Sequence, residues 1–204
     1  MIVNRIFNNK FWCEGEKNLT ITRKNAKKLL ITLMIIILII ILVAICINKL
    51  MIKILYKKEY SEYVSKYSKE YNIDENLIYA IIKAESNFDI NAVSNKNAMG
   101  LMQLMYSTAN DVAKRNQIEL TEENIFQPEI NINIGTKYLA TLLEKYKCVE
   151  VALAAYNAGS GNVDKWIANE IIKEDGSDIE NIPFKETNTY VRKIMRNYKI
   201  YSNL

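Results

Sequence analysis

Residues Leu29 to Ile47 run for nineteen positions without a charged side chain and are dominated by Ile and Leu. A helix of that length rises roughly 28 Å, close to the ~30 Å hydrocarbon thickness of a bilayer. A core helix of a soluble domain normally keeps a polar stripe, and this run has none. A cleavable signal peptide has an apolar core of about 7–15 residues ending in small residues, and neither condition is met. A lipid-bearing cysteine would have to be Cys46, yet bulky Ile45 precedes it. The pattern therefore predicts a retained single-pass anchor over 29–47. It leaves a basic tail over 1–28, a linker over 48–58 and one globular domain over 59–204.

The flanking charges set the expected orientation. Arg23, Lys24, Lys27 and Lys28 crowd one edge of the run, whereas Lys49, Lys53, Lys57 and Lys58 are spread along the other. This bias predicts a cytoplasmic N-terminus and an extracytoplasmic domain at the cell membrane. Residues 1–47 hold seven Lys/Arg against two Asp/Glu, and residues 48–204 hold 20 against 21, so the chain's net +4 resides in the tail. A nearly neutral domain has no basic excess for a nucleic-acid backbone, and nucleic acid is not an expected partner.

Cys13, Cys46 and Cys148 fall one to a compartment on this topology, so no intrachain disulfide framework is expected and the domain must stand on its core. The chain contains no His. That excludes serine–histidine and cysteine–histidine catalysis. Without clustered Cys it also argues against a transition-metal site, and no cofactor is expected. The chemistry falls to carboxylates, amides, hydroxyls and rings.

Beyond the linker, Tyr60, Tyr63, Val64, Tyr67 and Tyr71 recur at helical spacing, with Lys66, Lys69 and Glu70 on the opposite face. Packing is the plain reading of these tyrosines. Asn72-Ile73-Asp74 offers a break and an N-cap. The next helix carries Leu77, Ile78, Ile81 and Ile82 and is expected to end near Phe88. Ile90 to Met99 reads as a loop. Gly100 is expected to open a helix carrying Leu101, Leu104, Met105, Thr108 and Val112. Pro128 stands at a helix start before Gly135, Tyr138, Leu139, Leu142 and Leu143. Val149 to Asn157 forms a short alanine-rich helix with Gly159 as C-cap. Val163, Trp166 and Ile167 mark another, and a polar loop around Asp175-Gly176-Ser177-Asp178 follows. Tyr190, Val191, Ile194 and Tyr198 form the last helix. No segment alternates at period two, so the fold class is all-α, with six to eight helices.

Glu85 lies three, four and seven positions after Ile82, Ile81 and Ile78, so on a helix it continues the apolar face. A carboxyl held against apolar side chains loses hydration, which raises its pKa and lets it keep a proton near neutral pH. Such a group can protonate a leaving oxygen. A structural glutamate, capping or paired with a base, is the alternative for a lone residue of this kind. Asp89 is the nearest second carboxylate, at or past the helix end.

Four blocks give the glutamate a context. Glu85-Ser86-Asn87-Phe88 is followed by Gly100-Leu101-Met102-Gln103-Leu104-Met105-Tyr106-Ser107-Thr108-Ala109. Ala154-Ala155-Tyr156-Asn157-Ala158-Gly159-Ser160-Gly161-Asn162-Val163 comes next, and then Glu186-Thr187-Asn188-Thr189-Tyr190-Val191. In this order they resemble the soluble lytic transglycosylase family, whose fold is broadly shared with goose-type lysozyme. The resemblance runs from about Tyr60 to Tyr201. It implies that Glu85 is the single catalytic acid and that Ser94 is a hydrogen-bonding serine near it. It also implies that Gln103 and Met105 line a glycan groove, that Tyr156 and Asn157 touch the sugar beside the cut bond, and that Glu186 and Tyr190 close the site. Tyr106 departs from the family, which usually has proline there.

Plainer roles stand beside these. Met102 and Met105 suit core filling, Tyr156 could be a core tyrosine with a satisfied hydroxyl, and the glycines after it could simply cap a helix. The implied reaction cleaves the β-1,4 bond between N-acetylmuramic acid and N-acetylglucosamine in peptidoglycan. The muramic 6-hydroxyl then closes a 1,6-anhydro ring; the resemblance alone implies that step. A hydrolytic muramidase is the near alternative. A wall-binding component of an envelope-spanning secretion or conjugation machine is the distant one.

Overall fold

The structure, a computed structural model, describes residues 3–204, with side chains for residue 22 and residues 24–204. The side chains of Cys13, Arg23 and most of the basic tail lie outside that set. The chain divides into two units, residues 1–55 and 56–204.

The first unit is one helix, α1 (Val3–Leu55). Its segment Lys24–Leu55 is long and apolar enough to cross a membrane, and none of its most apolar window is buried. Residues 48–55, read from the sequence as linker, belong to this helix, because Leu, Met, Ile and Lys without Gly or Pro favour its continuation.

The second unit contains α2 (Ser61–Tyr71), α3 (Glu75–Glu85), α4 (Tyr106–Arg115), α5 (Pro128–Tyr146), α6 (Val149–Ala158), α7 (Ser160–Ala168) and α8 (Lys185–Tyr201). It is all-α, as its periodicity predicts. The central element is α3, in which Leu77 through Ile82 are all buried. It packs against α8, while α5 lies between α2 and α6. Asp74 caps α3 by accepting from the Asn76 amide at 2.8 Å, and Pro128 occupies the first turn of α5. Burying each Ile of α3 contributes roughly 1.5–3 kcal/mol. Tyr67 is buried on α2, with Tyr60, Tyr63 and Tyr71 packed partly against the core. Cys46 and Cys148 are free thiols.

Two boundaries differ from expectation, and both lie beside the candidate site. Helix α3 stops at Glu85, three residues before Phe88. The Ser86 hydroxyl accepts from the Phe88 amide at 3.1 Å and donates to the Leu101 carbonyl at 2.9 Å. Asn87 and Phe88 then take φ of 52° and 69°. A bulky residue in that region stores strain of roughly 1–3 kcal/mol, upheld here by the burial of Phe88.

The second difference is the start of α4, which is Tyr106 and not Gly100. Residues 98–105 form a small antiparallel hairpin, β1 (Ala98–Met99) with β2 (Leu104–Met105). The side chain of Asn131, fully buried on α5, organises the turn. It accepts from the Met102 amide at 2.8 Å and donates to the carbonyls of Ile125 at 2.9 Å and Met99 at 3.1 Å. Gly100 sits at φ 73°, and a Cβ there would lie 2.4 Å from the Asn131 amide nitrogen. The apolar spacing of Leu101, Leu104 and Met105 thus belongs to a clamped turn and not to a helix. Tyr106 occupies the first helical position, which favours proline because its N–H has no intrahelical partner. Tyrosine there costs the turn nothing essential.

Candidate active site

Glu85 is the last residue of α3, and its carboxylate is held by α8. The Tyr190 hydroxyl donates to Glu85 Oε1 at 2.6 Å. One turn on, Lys193 donates to the Ala84 carbonyl, and Asn197 reaches the Ala80 carbonyl at 3.5 Å. This ladder fixes the register of α8 against α3 and so aims Tyr190 at the carboxyl. Burial pushes the Glu85 pKa up to about 7, against the opposing pull of the Tyr190 hydrogen bond and the Lys193 charge. The carboxyl therefore exchanges its proton in the neutral range, as its place on the apolar face predicts. Burial, with Glu85 nearby, also pushes the Tyr190 and Tyr156 hydroxyls well above the ordinary tyrosine value.

A cleft of about 620 Å³ opens over this carboxyl. It brings together Glu85, Ser94, Gln103, Met105, Tyr156, Asn157 and Glu186. Tyr190 stands behind Glu85 as its hydrogen-bond partner and does not line the cleft wall. Asp89, the other carboxylate considered, accepts from the Asn91 amide at 2.9 Å in an exposed turn and does not line the cleft.

The Ser94 hydroxyl accepts from the amides of Lys96 at 3.2 Å and Ala98 at 3.0 Å, so it shapes the loop entering β1. Among the described residues it makes no hydrogen bond to Glu85. Gln103, at φ 46°, donates to the carbonyls of Ala92 at 2.9 Å and Gly100 at 3.0 Å. That pins its amide and leaves its oxygen available to the cleft. Met102 and Met105 part company, with Met102 fully buried and Met105 43% exposed on the cleft wall. On the opposite wall the Tyr156 hydroxyl donates to the Met102 carbonyl at 2.9 Å. Asn157 Oδ1 accepts from Thr187 at 2.7 Å, tying α6 to α8. Gly159 follows at φ 84° and ψ 142°, a backbone state open essentially to glycine alone.

Tyr138, Thr108 and Lys96 are among the cleft residues that the sequence did not single out. Tyr138 packs on Tyr156 with ring centroids 5.2 Å apart, and its hydroxyl has no hydrogen-bond partner among the described residues. Its place on the apolar face of α5 disguises it as core. Thr108 is similarly hidden in the periodicity of α4. Lys96 pairs with Glu186 at 3.1 Å across the cleft mouth, a contact between residues 90 positions apart that no local pattern reveals. Among the described residues no three His, Cys, Asp or Glu side chains cluster as a metal site.

Residues 62–179 match the family model of the transglycosylase SLT domain. The chain belongs to the SLT family. The match includes Glu85, the hairpin and the Tyr156-Asn157 pair, while Glu186 and Tyr190 lie beyond it. Among curated relatives, the soluble lytic murein transglycosylase of Salmonella typhimurium is 38% identical over 120 residues, covering 57% of this chain and 19% of that protein. The membrane-bound lytic murein transglycosylase C of Edwardsiella ictaluri is 34% identical over 153 residues, covering 64% of this chain and 43% of its own length. Among solved structures, an inactive mutant of the lytic transglycosylase Slt from Pseudomonas aeruginosa aligns over 72% of this chain and 24% of its own. The TM-score is 0.66 and the identity 31%. This SLT chain thus spans about a fifth of its soluble relatives' length.

Proposed function

We propose that this protein is a peptidoglycan lytic transglycosylase held at the cell membrane by α1, with its N-terminus cytoplasmic and residues 56–204 on the wall side. The observation that carries the reading is one carboxyl, Glu85, with a pKa raised to about 7 and open to a cleft of about 620 Å³. Its relatives' names and the membrane-length helix support it.

In this reading protonated Glu85 gives its proton to the oxygen bridging N-acetylmuramic acid and N-acetylglucosamine. The Tyr190 hydroxyl holds the carboxyl in place and favours the carboxylate that results. Glu186, the other carboxylate lining the cleft, is paired with Lys96, so positive charge on the sugar is met by the substrate's own acetamido oxygen. Glu85 then removes the proton of the muramic 6-hydroxyl, whose oxygen attacks the anomeric carbon. The glycosidic C1–O bond breaks, an internal C1–O6 acetal bond forms, and water is neither consumed nor released. Gln103, Met105, Tyr156 and Asn157 position the glycan, and Ser94 and Glu186 shape the two sides of the opening.

The test is to digest purified peptidoglycan with the full chain in detergent, alongside Glu85→Gln, and to weigh the released sugars. Anhydro ends, lighter by one water than hydrolysed ends, are expected from the wild type only. Reducing ends would make the protein a muramidase. Equal inactivity of both proteins, with wall binding retained, would leave an assembly component.

A further inference from the structure

Apart from the cleft, the domain carries a cluster of lysines where the chain leaves α1. Tyr56 alone separates Leu55 from Lys57, so Lys57 lies within about 7 Å of the helix end along the chain. Lys57 and Lys58 are exposed there, and Lys83 from α3 and Lys193 from α8 join them. Lys83 holds its ammonium 5.5 Å from the Tyr56 ring, and Lys58 sits 5.6 Å from that of Tyr79. Tyr79 and Tyr56 both pack on Tyr201, at 5.5 Å and 5.3 Å, so one aromatic floor carries both ammonium groups.

The charge in this cluster is largely uncompensated. Lys57 pairs with Glu59 at 3.0 Å. Lys58 donates to the Asn76 side-chain oxygen at 3.1 Å, Lys83 to that of Asn87, and Lys193 to the Ala84 carbonyl. Among the described residues none of these last three forms an ion pair with a carboxylate, although the Lys193 charge acts on Glu85. The Lys83 pKa is lowered by burial and by the charges of Lys57 and Lys193, as expected of crowded ammonium groups. Residues 48–204 are slightly acidic in total, so this patch stands against the domain's average.

We infer that Lys57, Lys58, Lys83 and Lys193 form a docking surface for anionic phospholipid headgroups, which seats the domain on the membrane that α1 crosses. The inference rests on the membrane-spanning reading of α1. Its occupant follows from charge and connection: the uncharged run ends at Ile47 and α1 continues only eight residues to Leu55, so headgroups are the nearest dense array of fixed anions to residues 57 and 58. Over those residues Lys49 and Lys53 alternate with the exposed apolar Leu50, Met51, Ile54 and Leu55, a composition that suits the headgroup layer. A tyrosine at the junction suits the interfacial layer. Each lysine near an anionic surface gains roughly fivefold in local partitioning. Seated in this way, the domain would work on strands close to its own membrane.

The experiment places the full chain in nanodiscs of phosphatidylcholine, or of an equal mixture with phosphatidylglycerol, and labels amines in a short pulse read by mass spectrometry. Labelling at Lys58, Lys83 and Lys193 is expected to slow about three- to fivefold in the anionic discs. Lys114 and Lys173, outside the patch, should be unchanged. The protection should vanish in about 0.5 M salt, where the Debye length is roughly 4 Å. Equal labelling in both lipids, or equal slowing at all lysines, overturns the inference while α1 still holds the protein in the discs. Failure to co-purify with phosphatidylcholine discs overturns the spanning reading and, with it, this surface.

Discussion

Glu85 and Glu186 line the same cleft, yet one is half-buried against the protein interior and the other lies in solvent. Glu85 ends a helix in which Leu77 through Ile82 are buried, and among the described residues its hydrogen-bond donor is a buried tyrosine. Glu186 begins α8, and its side chain is 68% exposed against a Lys96 side chain that is 74% exposed. Both are glutamates within reach of a cation, Lys193 for the first and Lys96 for the second. What separates them is hydration: loss of water raises the first into the neutral range, while the second forms a surface ion pair worth at most about 1 kcal/mol. One wall of the site is equipped for proton transfer, and the rim is equipped for shape.

The largest effect should come from removing the dry acid. Glu85→Gln is expected to lower the rate of glycan cleavage about 10²–10⁴-fold, measured as released muropeptide ends, with the fold retained. Comparable loss in Glu186→Gln would erase the distinction between floor and rim.

A second expected effect concerns stability. A carboxyl whose folded pKa is about 7 and whose ordinary value is 4.5 holds its proton in the folded protein after the unfolded chain has released it. Between these values the folded state binds more protons, so stability falls as pH rises from about 4.5 to about 7 and then levels off. The loss should be about 2–3 kcal/mol, the upper figure being discounted because the cleft admits water. In Glu85→Gln that slope should disappear, and the variant should be the more stable protein above neutral pH. Denaturant melts across the pH range read this directly.

These effects also mark what could be read from residues alone. The apolar stripe of Ile78, Ile81 and Ile82 carried Glu85 to its place because a helical face is a local property with a fixed period. The Tyr156-Asn157 turn was similarly local, punctuated by Gly159. The hairpin at 98–105 was not legible, since its cause is Asn131, about thirty residues away and buried for the sake of three backbone groups. A helical pattern of Leu101, Leu104 and Met105 was the natural reading without that clamp. The early end of α3 was hidden for a related reason, because the Leu101 carbonyl across the site receives the Ser86 hydroxyl. Tyr138 and Lys96 became visible only when distant segments met.

A third, smaller effect should follow from Tyr190→Phe. The lost hydrogen bond favours the carboxylate, so its removal should raise the Glu85 pKa further and move the alkaline fall of activity to higher pH. A shift to lower pH would mean that Tyr190 does not act on Glu85. The smallest effect should be that of Glu186→Gln on stability, under about 1 kcal/mol in thermal or denaturant melts and smaller still at high salt.

The central claim is that Glu85 holds a proton in the neutral range. Carbon-detected NMR of the full chain in detergent, with glutamate carboxyls labelled and Glu85→Gln used to assign the signal, measures that proton itself. A titration midpoint near 7 is the predicted result. A midpoint near the ordinary 4.5 would contradict the account, for the carboxyl would then have no proton to give near neutral pH.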